Sequence, residues 1–183
     1  TSNAFQQTKA GQGIFKMNAD NGQQMWGTYY NPESQIPINN KSLSLQVTDS
    51  GLYVSGFASA EYLPSAATYY GTTGAFQPTI SEQRDLFLSK FNHSGSRVWS
   101  TYFGNTGDES NSSSYMMDVK GNTVILTGTV GHHYTNNVNI STPGAFSTQP
   151  SDQMYSAFFT KFDTNGNRIW TSYYGTDSPG NST

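Results

Sequence analysis

Apolar and polar residues alternate along this chain in short runs, and the same runs return after about 72 residues. Leu43-Ser44-Leu45-Gln46-Val47 alternates strictly, as a half-buried strand does, and Asp49-Ser50-Gly51 turns it into Leu52-Tyr53-Val54-Ser55-Gly56-Phe57. One period later, Tyr115-Met116-Met117-Asp118-Val119 passes through Lys120-Gly121-Asn122 into Val124-Ile125-Leu126-Thr127-Gly128. Gly56 and Gly128 stand 72 residues apart. No segment sustains a helical period, although Asp152-Gln153-Met154-Tyr155 has room for one helical turn.

A second hairpin occurs three times. Its first strand is Ile14-Phe15-Lys16-Met17, Leu88-Ser89-Lys90-Phe91 or Phe159-Thr160-Lys161-Phe162. Each enters a turn at Asp20-Asn21-Gly22, His93-Ser94-Gly95 or Thr164-Asn165-Gly166, where Asn and Gly tolerate the positive φ of tight hairpin turns. The returning strand carries the three tryptophans, Trp26, Trp99 and Trp170, spaced 73 and 71 residues apart, each followed by a Thr/Ser-Tyr-aromatic run. Upstream of each hairpin lies an Ala-Phe element: Ala4-Phe5, Gly74-Ala75-Phe76 and Gly144-Ala145-Phe146. A fixed period of this length marks a repeat architecture.

Each full period thus holds four short strands, and the fold class expected is all-β, built of four-stranded antiparallel sheets. The boundaries are a half unit at 1–30, a full unit at 43–103 and another at 115–174. Matched spacing places the tryptophans at equivalent, largely buried positions. Because the chain opens inside a unit, we expect an internal piece of a longer protein, prone to self-association when isolated.

Composition narrows the functional classes. Charge is sparse at 11%, the net charge is −3, and aromatics reach 14%. That balance argues against disorder and, with no basic cluster, against a nucleic-acid partner. Cysteine is absent, so no disulfide framework or thiolate site exists. Apolar runs stop at three or four residues, which predicts no membrane-inserted helix.

Taken together, Thr142-Pro143-Gly144-Ala145-Phe146, Phe162-Asp163 with Gly166, Trp170-Thr171-Ser172-Tyr173-Tyr174-Gly175 and Gly121-Asn122 through Leu126-Thr127-Gly128 resemble the bacterial seven-bladed β-propeller repeat of the SBBP type. The fullest copy runs from Thr72 to Gly128 and includes Gly107-Asp108-Glu109 after Gly104. The period is longer than such repeats imply, and the first unit has Pro32-Glu33-Ser34 in place of the acidic pair. The resemblance implies stacked blades, about two and a half of them in this chain. It also implies an exported or surface-attached bacterial protein, with type IX secretion as a route, and it implies no particular chemistry.

The candidate sites are weak against their structural readings. Asp163-Thr164-Asn165-Gly166-Asn167 opens like a calcium loop, but its glycine comes fourth rather than sixth and no glutamate follows at the twelfth position; a turn is the better reading. Asp108 and Glu109 could offer carboxylates to a cation, yet a solvated loop suffices. His132 and His133 are adjacent and so would point apart on a strand. Lys16, Lys90 and Lys161 recur in register, where an anion site competes with lysines lying along a blade edge. Tyr62, Tyr69, Tyr70 and Tyr134 could stack on sugar rings. No cofactor or tightly held metal is expected, and no catalytic triad or phosphate loop is present.

Three functions remain. The leading expectation is a non-catalytic repeat scaffold serving adhesion or protein interaction, its partners being the rest of a longer chain or other chains that complete the propeller. The second is carbohydrate binding through loop tyrosines to a surface glycan. The third is part of a propeller hydrolase or lyase.

Overall fold

The computed structural model describes residues 4–8, 11–32, 43–60, 66–81, 84–105, 116–131, 139–150 and 155–175. Within them lie ten strands and one four-residue helix. The strands are β1 (Gly13–Met17), β2 (Gln24–Tyr29), β3 (Ser44–Thr48), β4 (Gly51–Ser59), β5 (Arg84–Phe91), β6 (Arg97–Phe103), β7 (Met116–Lys120), β8 (Thr123–Gly131), β9 (Tyr155–Phe162) and β10 (Arg168–Tyr174). The helix, α1 (Ala66–Tyr69), falls in a stretch whose sequence reads as loop. Tyr155 belongs to a strand instead of the helical turn that Asp152–Tyr155 allowed, and residues 151–154 lie outside the described set. No helix among the described residues is long and apolar enough to cross a membrane.

The strands form two four-stranded sheets, β3-β4-β5-β6 and β7-β8-β9-β10, plus the pair β1-β2. Every neighbour is antiparallel and consecutive in sequence. The chain is therefore all-β with blade-like meanders, as its patterning implies.

The tryptophan hairpin keeps one register in all three units. Trp26 pairs with Lys16, Trp99 with Lys90 and Trp170 with Lys161. Just before each tryptophan the ladder slips: Gln24, Arg97 and Arg168 face Met17, Phe91 and Phe162, so Met25, Val98 and Ile169 are left over as bulge residues. All three bulge residues are exposed. The bulge turns Val98 outward, while Tyr102, four residues on, is fully buried.

The Ala-Phe elements lie along the outer edge of these hairpins. The amide N–H groups of Thr72 and Thr142 donate to the carbonyls of Ser100 and Thr171, and those of Tyr102 and Tyr173 donate to Gln77 and Ser147. Backbone groups that an edge strand leaves unpaired are thereby covered. Gly74 and Gly144 turn these segments at φ 80° and 78°.

Two cores join the three sheets. One lies between β1-β2 and the sheet β3–β6, holding Ile14, Tyr30, Val54, Tyr70, Phe87, Phe91 and Tyr102. The other, between the two large sheets, holds Leu86, Leu88, Phe103, Val124, Leu126, Phe158 and Phe162. Alternate side chains of β5 thus serve different cores, because the period of two sends Phe87 and Leu88 to opposite faces.

Candidate functional site

The surfaces that carry most chemistry here are the seams between units. In the first seam, the Trp26 indole lies on the Gly95 turn of the next unit, where a Cβ on Gly95 would meet the ring at 2.9 Å. Its Nε1–H donates to the His93 carbonyl at 2.9 Å. The second seam repeats the arrangement. Trp99 lies on Gly166 with the same 2.9 Å approach, and its Nε1–H donates to the Thr164 carbonyl at 3.0 Å.

The turns are shaped for this role by Asx acceptors. Asn92 Oδ1 takes the amide N–H groups of Ser94 and Ser96, and Asp163 Oδ1 takes those of Asn165 and Asn167. Gly95 and Gly166 then adopt φ 87°, a conformation that favours glycine. Slight burial raises the Asp163 pKa, but hydrogen bonds from the Asn167 side chain and from the backbone of Asn167, Asn165 and Gly166 outweigh it. The carboxyl is held below its ordinary value. Its oxygens are committed to the turn, in line with the hairpin reading of this segment.

Arginine adds a second lock. Arg97 stacks over Phe5 of the preceding unit at 4.2 Å from the ring centroid and donates to the Tyr69 carbonyl at 2.8 Å. Arg168 does the same over Phe76 at 4.6 Å and donates to the Ile140 carbonyl at 3.1 Å. Such cation–π contacts strengthen when desolvated. The bulge explains the aim, since a bulged strand bends and redirects its neighbouring side chains.

The third lock is a buried hydroxyl set. Tyr30 Oη sits 2.6 Å from Ser89 Oγ and 3.3 Å from Ser100 Oγ, and the two serines also bond each other. At the next seam Phe103 takes the place of Tyr30, and the facing pair becomes Thr160 and Thr171. Thr171 donates to Thr160 at 2.8 Å, and Thr160 donates to the Trp170 carbonyl at 3.2 Å. Where the aromatic carries a hydroxyl, it joins a serine pair; where it does not, the facing pair is threonine, with a methyl group on each residue.

Of the recurrent lysines, Lys90 belongs to this apparatus. Lys90 Nζ reaches the same Thr164 carbonyl as Trp99, at 3.4 Å, and lies 5.3 Å from the Tyr53 ring centroid. Lys16 and Lys161 occupy the matching positions beside Trp26 and Trp170. The tryptophans are equivalent in register but not in burial, which corrects the expectation that all three are largely buried. Trp26 and Trp99 are half-buried, and Trp170 is 37% exposed because no described segment covers it.

Of the tyrosines considered for sugar stacking, Tyr69 and Tyr70 fall in the first seam. Tyr70 is buried and stacks on Phe87 with centroids 3.9 Å apart, and Tyr30 meets it edge-on. Tyr69 donates its hydroxyl to Gln6 Oε1 and packs edge-on against Phe5 and Tyr70. Desolvation raises its pKa, with Tyr30 adding to the rise and Arg97 opposing it. Tyr70 is thus taken up by the core, while Tyr69 stays half-buried beside it. Tyr62, Tyr134, Asp108, Glu109, His132 and His133 lie outside the described residues. Among the described residues no three His, Cys, Asp or Glu side chains converge as metal ligands do.

Sequence reasoning missed the arginine–phenylalanine and hydroxyl locks. The positions concerned differ between repeats, Gln24, Arg97 and Arg168 at one and Tyr30, Phe103 and Tyr174 at another, but their partners lie a whole unit away in sequence. No protein-family model and no curated protein matches the chain.

Proposed function

We propose that this chain is a non-catalytic repeat scaffold of an exported or cell-surface bacterial protein, acting in adhesion or protein–protein interaction within a β-propeller. One observation carries the reading. At the two closed seams the recurring tryptophans and arginines, with Lys90, are spent on joining one unit to the next, and the recurring Asx residues shape the turns they join. Tryptophan and arginine clamp the seams, and Asn92 and Asp163 hold turns, so the repeat builds a rigid body rather than a reaction centre. The assignment to the cell exterior, with type IX secretion as the route, rests on the motif resemblance.

The test is binding by the labelled chain to two arrays, one of extracellular and surface proteins and one of glycans. Saturable protein binding with a blank glycan array is the expected result. Binding to glycans alone would replace this reading with a carbohydrate-binding one. Turnover of polysaccharide substrates by the chain would overturn it in favour of a propeller hydrolase or lyase.

A further inference from the structure

At the far side of the third unit the same three locks stand open among the described residues. Trp170 is 37% exposed, Tyr174 62% and Phe146 86%, whereas Tyr30 and Phe103, the counterparts of Tyr174, are 0% and 1% exposed. These residues, with Pro143, Phe159 and Ile169, line a groove of about 500 Å³. Among the described residues Trp170 Nε1 has no acceptor and Phe146 has no cation over its ring.

The two closed seams say what would fill it. We propose that this groove is a docking site selective for a hairpin of the same repeat having the chemistry of Ser89–Ser100. That hairpin has an Asx-x-x-Gly turn whose second carbonyl accepts from Trp170 and Lys161. An arginine two residues after the glycine lies over Phe146, and a facing Ser–Ser pair takes the Tyr174 hydroxyl. The hydroxyl selects the pair. Tyr174 matches Tyr30, which faces serines, and not Phe103, which faces threonines. The serine pair leaves room for the phenol oxygen at 2.6 and 3.3 Å, whereas threonines add a methyl group at each facing position, and a buried hydroxyl denied a partner costs far more than the bond gains.

The selectivity excludes the chain's own first hairpin. Gly22 is open on its outer side, with nothing within 4 Å of a Cβ built there, so a second copy could in principle approach. Its locks do not match. Gln24 stands where Arg97 and Arg168 stand, and Phe15 and Gly27 replace the hydroxyl pair. Its turn is also longer: the Gly22 amide bonds Asn18 four residues back, against three for Gly95 and Gly166. The fit is therefore to a further repeat hairpin of the second unit's make.

This goes beyond the scaffold reading, and its tests read association and coupling, so failure of one leaves the other standing. The first test converts the outer face of the first hairpin to the matching chemistry with Gln24→Arg, Phe15→Ser and Gly27→Ser and removal of Ala19. Sedimentation velocity should show the native chain monomeric, contrary to the self-association expected from the sequence, because its first hairpin lacks the matching locks. It should show the converted chain associating head to tail. Trp170→Ala in the converted chain should weaken that association about tenfold or more, as loss of a central tryptophan does. Replacing the two introduced serines by threonines should weaken it, and Tyr174→Phe should then restore it. A converted chain that stays monomeric, or a native chain that associates through the groove, overturns the proposal.

The second test asks the same question within the folded chain. Tyr30→Phe should be destabilising, Ser89→Thr with Ser100→Thr should be destabilising, and the combination should recover part of the loss in urea unfolding. Strict additivity would overturn the hydroxyl code whatever the converted first hairpin does.

Discussion

Position along the repeat decides what an identical residue contributes. Trp99→Ala removes an indole that fills the space over Gly166 and donates to Thr164, and it should cost about 3 kcal/mol in urea unfolding. Trp170→Ala, at the same register but open, should cost below about 1 kcal/mol in dilute protein, as for surface changes. Phe103→Tyr should destabilise by about 1–3 kcal/mol, because its new hydroxyl enters a seam of Phe158, Phe162 and the paired Thr160 and Thr171. Phenol burial fixes the alkaline limit. Desolvation raises the pKa of Tyr69 and Tyr102, so both ionise near pH 10 in the unfolded chain but not in the folded one. Their contribution is complete below about pH 10 and is lost as pH climbs toward the folded-state values. Denaturation midpoints measured at pH 8, 10 and 11 should fall in that order. Asp163 acts with the opposite sign, since its pKa is lowered: its contribution is present above the usual carboxylate range and fades as pH falls. Asp163→Asn should leave the neutral midpoint nearly unchanged, because Asn92 holds the same turn, and should flatten that acid dependence.

At the scale of the element, the turn and the bulge act as one device. The Asx acceptor shapes the turn, the glycine lets the indole approach, and the bulge aims the arginine at the preceding unit. Gly166→Ala therefore meets two obstacles, a φ of 87° and the Trp99 ring at 2.9 Å. Gly144→Ala meets only the first, at φ 78° with open space around it. Both should lose the 1–2 kcal/mol or so of a left-handed alanine, and Gly166→Ala distinctly more. Thermal unfolding of the two variants side by side checks the difference. A further joint links the outer strands β3 and β7. There Gln46 accepts from the Val119 amide at 2.7 Å and donates to the Val119 carbonyl at 3.0 Å, so a side-chain amide stands in for a ladder pair.

For the whole molecule, stability should be greatest in the middle. The sheet β3–β6 is covered on both faces by the two cores, whereas the outer faces of β1-β2 and β9-β10 expose Phe15, Met17, Phe159 and Tyr174. Native-state hydrogen exchange should find the slowest amides in β4 and β5 and faster exchange in β1, β2 and β10. Equal protection in all three hairpins would mean that the seams contribute little beyond each sheet's own ladder.

Much of this was legible in the sequence because it is local. The period of two and the Asn/Asp-Gly turns sufficed to place ten strands to within a few residues, and the three tryptophan hairpins share one register because they share one turn chemistry. The bulge was not legible, since Val98 reads as one more alternating apolar residue until its cross-strand partners are known. Nor was the fate of the tryptophans: Trp26, Trp99 and Trp170 have similar neighbours in sequence and differ only in what lies across the seam. Tyr69 and Tyr70 likewise read as loop aromatics, and packing placed Tyr70 inside, against Tyr30 and Phe87, and Tyr69 half-buried against Phe5. Backbone conformation follows from residues a few positions apart, so the sequence by itself determined the strands, the turns and the repeat. Burial and partnership depend on segments about 70 residues distant, and only the tertiary structure decided which copies of the repeat are closed and which one stands open.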